Sequence, residues 1–128
     1  MVEPEFFRAL VGRTGCGILC DLTNLYVSSA NLGMDARAYL AALPAGAVKQ
    51  MHLAGHRENH YHSYTLLIDD HASRVSAPVW DLYRHTLGLF DSVPALVEWD
   101  AALPTLATLM NEAMRADEVC QRDEAECS

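Results

Sequence analysis

Four short, largely apolar runs, each closed by an acid or a histidine, constrain this chain more than any other feature. They are Gly17-Ile18-Leu19-Cys20-Asp21, then Val48 to Ala54 with His52 near its C-terminal end, then Thr65-Leu66-Leu67-Ile68 leading into Asp69-Asp70-His71, and Pro94 to Val97 leading into Glu98-Trp99-Asp100. Strands without a polar face belong in a parallel sheet covered by helices. Helical patterns duly alternate with them. Pro4 suits a first helical turn, with Phe6, Phe7, Leu10 and Val11 as its apolar face and Gly12 to Gly17 as its end. Asp35 is placed to cap a helix running to about Leu43, which Pro44-Ala45-Gly46 stops. Pro78 opens a helix through Phe90, with Val79, Leu82, Tyr83, Thr86 and Leu87 at helical spacing. Pro104 opens the last helix, with Leu106, Leu109, Met110 and Ala113 on one face, and residues 115–128 read as a charged tail that frays.

Two stretches read as loops: the polar segment Leu22 to Met34 and the His-rich segment Gly55 to Ser63. The second leaves one join open. From Gly55 to Tyr64 the chain is too short for a comfortable helical crossover. The Thr65–Ile68 run is therefore either a sheet strand or the arm of a hairpin.

Charge and composition exclude several classes. The formal net charge is −8 and the nine Lys and Arg are scattered, whereas phosphate binding needs them clustered. No nucleic-acid partner is expected. No apolar run is long enough to span a bilayer, so no membrane partner is expected either. The acidic start Met1-Val2-Glu3-Pro4-Glu5 has no signal-peptide pattern, which makes the cytoplasm the expected compartment. Cys16 and Cys20 lack zinc-type spacing and read as small core residues. Cys120 and Cys127 read as incidental to the tail.

The informative fact is where the polar residues fall. In parallel α/β sheets and barrels, ligands bind outside the carboxyl ends of the strands. Asp21, His52, Asp69 and Glu98 sit at or near such ends, and Asn24, His56 and His71 follow closely. Mixed imidazole and carboxylate donors suit iron, manganese or zinc. Each residue also has a plainer reading. Asp21 suits a turn or cap, and a lone strand-end histidine is more often a hydrogen-bonded packing residue than a ligand. Asp69 and Asp70 suit loop solvation, and Glu98 with Asp100 suits a surface bracket around Trp99. His60 and His62 read as exposed loop residues. Four polar groups at equivalent topological positions favour the shared site.

Several segments resemble one family in order along nearly the whole chain: Glu3-Pro4-Glu5-Phe6-Phe7, Gly15 through Asp21 to Ser28, His52-Leu53-Ala54-Gly55-His56, Leu67-Ile68-Asp69-Asp70-His71, Val79-Trp80-Asp81-Leu82-Tyr83 and Glu98-Trp99-Asp100. They are similar to the bacterial multinuclear non-haem iron oxidases that modify cysteine in ribosomally made peptides, the methanobactin-biosynthesis and thiopeptide-type enzymes. The resemblance implies an α/β fold, half of a TIM-type (β/α) barrel, with residues 1–114 as its C-terminal half. It implies that Asp21, His52, Asp69, His71 and Glu98 are iron ligands, that Asn24 is a ligand or supports one, and that His56 is a catalytic-site residue orienting substrate or a ligand. The implied cofactors are two or three iron ions, with O2 as co-substrate. The implied partners are a precursor peptide and a small protein that recognises its leader.

The sequence also departs from the family. Members take two histidines and a bridging glutamate from an N-terminal half, which have no counterpart here. Asp70 stands where the family has Thr, and Cys20 where it has Leu. A missing half or a second copy is thus expected to complete the site. Competing readings are a non-catalytic remnant of the barrel and a metal-dependent hydrolase or isomerase on the same fold. An unclosed barrel also leaves apolar surface in water. At about 25 cal/mol per Å², that exposure rivals the net stability of a domain, so the isolated chain is expected to self-associate or fold marginally.

Overall fold

The computed structural model describes residues 1–126. Its elements run α1 (Glu3–Thr14), β1 (Ile18–Asp21), α2 (Leu22–Leu32), α3 (Ala36–Ala42), a short 3-10 turn (Ala45–Ala47), β2 (Val48–Ala54), β3 (Arg57–His60), β4 (Thr65–Ile68), α4 (Ala77–Leu87), β5 (Ala95–Glu98) and α5 (Leu106–Glu126). Three strands form a parallel sheet in the order β1-β2-β5. Helices cover one face of it, so the arrangement is that of a partial TIM-type fold. Ile18, Cys20, Val48, Met51 and Leu53 meet Leu22, Leu40, Val79, Trp80 and Tyr83 in one core. On the opposite face Leu19 of β1 and Leu96 of β5 stay 52% and 44% exposed.

The open join is a hairpin. β3 and β4 pair antiparallel, with Arg57 opposite Ile68 and His60 opposite Thr65. The sheet therefore has three parallel strands, and Thr65–Ile68 is not one of them. The Gly55–Ser63 segment, expected as loop throughout, contributes the first arm.

The segment Leu22 to Met34 is also corrected: most of it is a helix. Its polar residues concealed this because several are buried with their hydroxyls satisfied. Thr23 is fully buried. Its Oγ1 donates to the Ala54 carbonyl at 3.0 Å and accepts from the Ala54 amide at 2.8 Å. Ser29 returns its hydroxyl to the Tyr26 carbonyl at 2.8 Å. Asp21 caps the helix by accepting the Asn24 amide at 2.9 Å. The plain reading of Asp21 as a cap thus holds alongside its place at a strand end.

The last helix differs in extent and in face. It runs on through Glu126, beyond the point where a fraying tail was expected at Arg115. Leu109, Glu112, Ala116, Val119 and Cys120 turn inward, whereas Leu106 is 73% and Met110 52% exposed. Glu112 lies buried because two partners satisfy it: Arg74 Nη1 at 2.7 Å and the Val75 amide at 3.1 Å. Cys120 is not incidental, since its sulfur lies 2.8 Å from the Tyr83 hydroxyl. Cys16 is exposed and Cys20 buried, so of these two Cys20 is the core thiol. Cys127 lies outside the described residues. Among those residues no helix is long and apolar enough to cross a membrane.

One glycine sets the position of the loop after β4. A Cβ on Gly55 would stand 2.1 Å from the Ser73 carbonyl oxygen, an overlap with backbone that no rotamer change relieves. The Gly55 carbonyl also accepts the His71 amide at 3.2 Å. Gly55→Ala is expected to cost at least about 1–3 kcal/mol, read as a lowered urea midpoint. Thr23→Val keeps the shape but strands the buried Ala54 amide and is expected to cost about 1–3 kcal/mol. Unchanged midpoints in both variants would contradict this account of the β2 end.

Candidate metal centre

Parallel register brings the polar strand ends together. Asp21 stands opposite His52, and Ala54 opposite Glu98. Side chains alternate along a strand, so the covered face takes Met51 and Leu53 while His52 turns to the open face. His52 Nδ1 lies 2.7 Å from Glu98 Oε1. Asp69 and His71 arrive by another route, on the loop that leaves the hairpin. That loop turns back sharply at His71, whose φ of 49° lies in the left-handed region. The Asp100 amide donates to the His71 carbonyl at 2.8 Å, which fixes the turn against the end of β5.

The His71 ring then sits among three carboxylates. Its Nε2 is 3.0 Å from Asp69 Oδ1, and its Nδ1 is 2.9 Å from Asp100 Oδ2 and 3.6 Å from Glu98 Oε2. Asn24 reaches Asp69 Oδ2 through Nδ2 at 3.4 Å. Asp21, His71 and Glu98 each offer one donor atom, and these lie within 4.8 Å of one another. That spread is close to that of donors around one ion bound at about 2 Å. Asp69 Oδ1 adds an independent sign. It is buried, and its close polar partner among the described residues is the His71 ring, 3.0 Å away. A carboxylate oxygen in that condition fits a position facing a cation. With two imidazoles, several carboxylates and no thiolate, the donor set suits a divalent metal such as iron, manganese or zinc.

The protonation of the group points the same way. Burial pushes the Asp69 carboxyl above its ordinary value, more than neighbouring His71 lowers it. Burial disfavours the charged His71 ring, but the Asp100 hydrogen bond and the charges of Asp69, Glu98 and Asp100 outweigh that and raise it. Both groups hold protons more tightly than they would alone, Asp69 chiefly because it is buried and His71 because carboxylates surround it.

Of the residues singled out in the sequence, Asp21, Asn24, His52, Asp69, His71 and Glu98 are brought to one end of the sheet. His56 stands apart from them. Its ring lies against Tyr26, centroids 5.2 Å apart, and its Nδ1 is buried without a hydrogen-bond partner. His60 and His62 are exposed. Asp70 turns from the cluster toward Arg57, Oδ2 to Nε 3.2 Å, so its charge is compensated. Asp100 belongs to the cluster and was read as a surface bracket. Its only sequence signal is the Glu98-x-Asp100 spacing, which brings both acids onto one side of an extended chain. Cys20 faces the helices, with its thiol pushed up to about 12, first by burial and then by Asp21.

The sequence matches the family described as RiPP precursor modification enzyme MbnB/TglH/ChrH over residues 1–121. A UPF0276 protein of Bordetella parapertussis is 51% identical over 114 residues, which is 88% of this chain and 39% of the relative. A UPF0276 protein of Paraburkholderia phytofirmans is 43% identical over 123 residues, 95% of this chain and 40% of its own. One from Rhizobium meliloti is 42% identical over 126 residues, 98% and 41% respectively. The chain thus spans about two fifths of the length of these curated relatives. With a match over almost its entire length, it belongs to the MbnB/TglH/ChrH family of RiPP precursor modification enzymes.

Proposed function

We propose that this chain is the metal-binding part of an iron-dependent, O2-using oxidase that modifies cysteine in a ribosomally made peptide. The observation that carries the reading is the approach of Asp21, His71 and Glu98 donor atoms to within 4.8 Å of one another. Asp21, His71 and Glu98 hold the first iron. His52 and Asp69 flank it, through Glu98 and His71 respectively, and supply donors toward a second. Asn24 orients Asp69. When bound, iron supplies redox capacity toward O2 and a Lewis-acid position for the peptide thiolate. His56, whose ring packs against Tyr26, lies apart from the donor cluster and orients substrate. The acids hold the site electronegative until metal arrives.

The remaining donors for a two- or three-iron cluster come from a second polypeptide segment, either the counterpart of the relatives' further length or another copy of this chain. Two features support this. The sheet face that bears the site is uncovered at Leu19 and Leu96, and α5 presents Leu106, Met110 and Met114 to solvent. A small partner that recognises the leader of the peptide completes the system, by analogy with the family.

Anaerobic titration with ferrous iron, followed by metal analysis, tests the reading. At least one iron per chain is expected. Asp21→Ala and Glu98→Ala should each weaken uptake by about tenfold or more. Ligands must shed protons to bind metal, and those of His71 and Asp69 are held above their ordinary range. Affinity should therefore rise with pH through the range where His71 deprotonates, with measurable proton release. Less than one iron per chain, or variants that load normally, would end the proposal. Oxygen uptake with a cysteine peptide, after co-expression with a family N-terminal segment, tests the oxidase assignment itself.

A further inference from the structure

The β3–β4 hairpin has two outer edges, and the protein treats them differently. On β4, the Asn31 side chain of α2 donates to the Leu67 carbonyl at 2.9 Å and accepts the Leu67 amide at 2.9 Å. Asn31 thus pairs with Leu67 as a neighbouring strand would, and that edge is closed at Leu67. The same contact fixes the phase of the ladder. Leu67 turns its backbone groups away from β3, so Leu67 and Glu58 are a non-hydrogen-bonded pair. The pairs on either side exchange the hydrogen bonds, in phase with the Tyr61 amide donating to the Tyr64 carbonyl at 2.9 Å. Glu58 and His60 therefore direct both amides and both carbonyls outward, along an edge that no strand covers among the described residues.

This open edge starts beside the metal centre. Only Gly55 and His56 separate it from β2, and at its base Arg57 is paired with Asp70, the neighbour of Asp69. At its far end Tyr61 and Tyr64 stack with centroids 4.8 Å apart and lie 50% and 57% exposed. Brevity and charge blunt natural edges against uncontrolled pairing, and β3 has both. What it retains is two residues' worth of outward donors and acceptors, with an aromatic pair at one end and the site at the other.

We propose that the edge of β3 receives the substrate peptide as an added strand, with Glu58 and His60 supplying the backbone hydrogen bonds and the tyrosine pair packing on peptide side chains near the tip. The strand so held runs toward the hairpin base and delivers its cysteine to the metal centre. This inference rests on the peptide-modifying reading above, and it adds the element that holds the substrate.

Amide hydrogen exchange on the metal-free chain tests it. The probe is a short synthetic peptide of alternating Thr and Val ending in Cys, with a comparator N-methylated at alternate backbone nitrogens. With the probe in excess, exchange at the Glu58 and His60 amides should slow at least tenfold, and the comparator should leave both unchanged. The His60 amide makes no ladder bond and proline is tolerated on an edge, so His60→Pro should keep the hairpin and the wild-type melting temperature while losing probe protection at Glu58. Glu58→Pro should lose it at His60. Probe binding unaffected by either substitution or by N-methylation would overturn the proposal, as would no binding to the wild type. Protection that appears without peptide as protein concentration rises would assign the edge to a second copy and overturn it equally. Iron loading of His60→Pro is measured separately and should match wild type, so failure of the metal reading and failure of the strand reading are told apart.

Discussion

The candidate site depends on holding one loop, residues 69–76, against the end of β2. That loop brings in Asp69 and His71, and nothing in its own sequence obliges it to lie there. It is clamped from two sides. Gly55 lets the Ser73 backbone approach at a distance no side chain permits. From the other side, buried Glu112 on α5 accepts both the Arg74 guanidinium and the Val75 amide. A carboxylate taken out of water is costly unless charge and hydrogen bonds replace its hydration, and here both do. The same buried group fixes the register of α5, which explains why an acid occupies a core position while Leu106 and Met110 face outward.

Once the loop is placed, electrostatics takes over. Carboxylates from β1, β5, the hairpin exit and the segment after β5 surround a single imidazole ring. Asp69 and His71 both bind protons more readily than the free side chains. A cation can take over the role of those protons. The supports are rigid: Asp21 and Glu98 end paired strands, and Asp21 is also locked as a helix cap.

The hairpin shows how a short insertion changes the use of a parallel sheet. It interrupts the strand-helix alternation between β2 and α4, and it carries the chain out from the site and back again. One outer edge is satisfied at Leu67 by Asn31, and the other remains available. The contrast is a matter of backbone hydrogen-bond accounting.

Sequence alone determined the apolar strands, their order between helices and the inward face of α4, because burial on a packed sheet leaves a periodic mark in residue type. It also singled out the acids and histidines of the strand ends, since parallel strands end on one side of the sheet. It did not reveal α2, where buried Thr23 and Ser29 imitate a polar loop, nor the face of α5, where Met110 was read as core and Glu112 turns inward instead. Asp100 looked like surface because its role lies in a contact with His71, remote in the chain. Pairing of the hairpin arms, the approach of Ser73 to Gly55 and the left-handed turn at His71 depend on contacts between distant segments. Local composition carries no record of such contacts, so only the tertiary structure decided them.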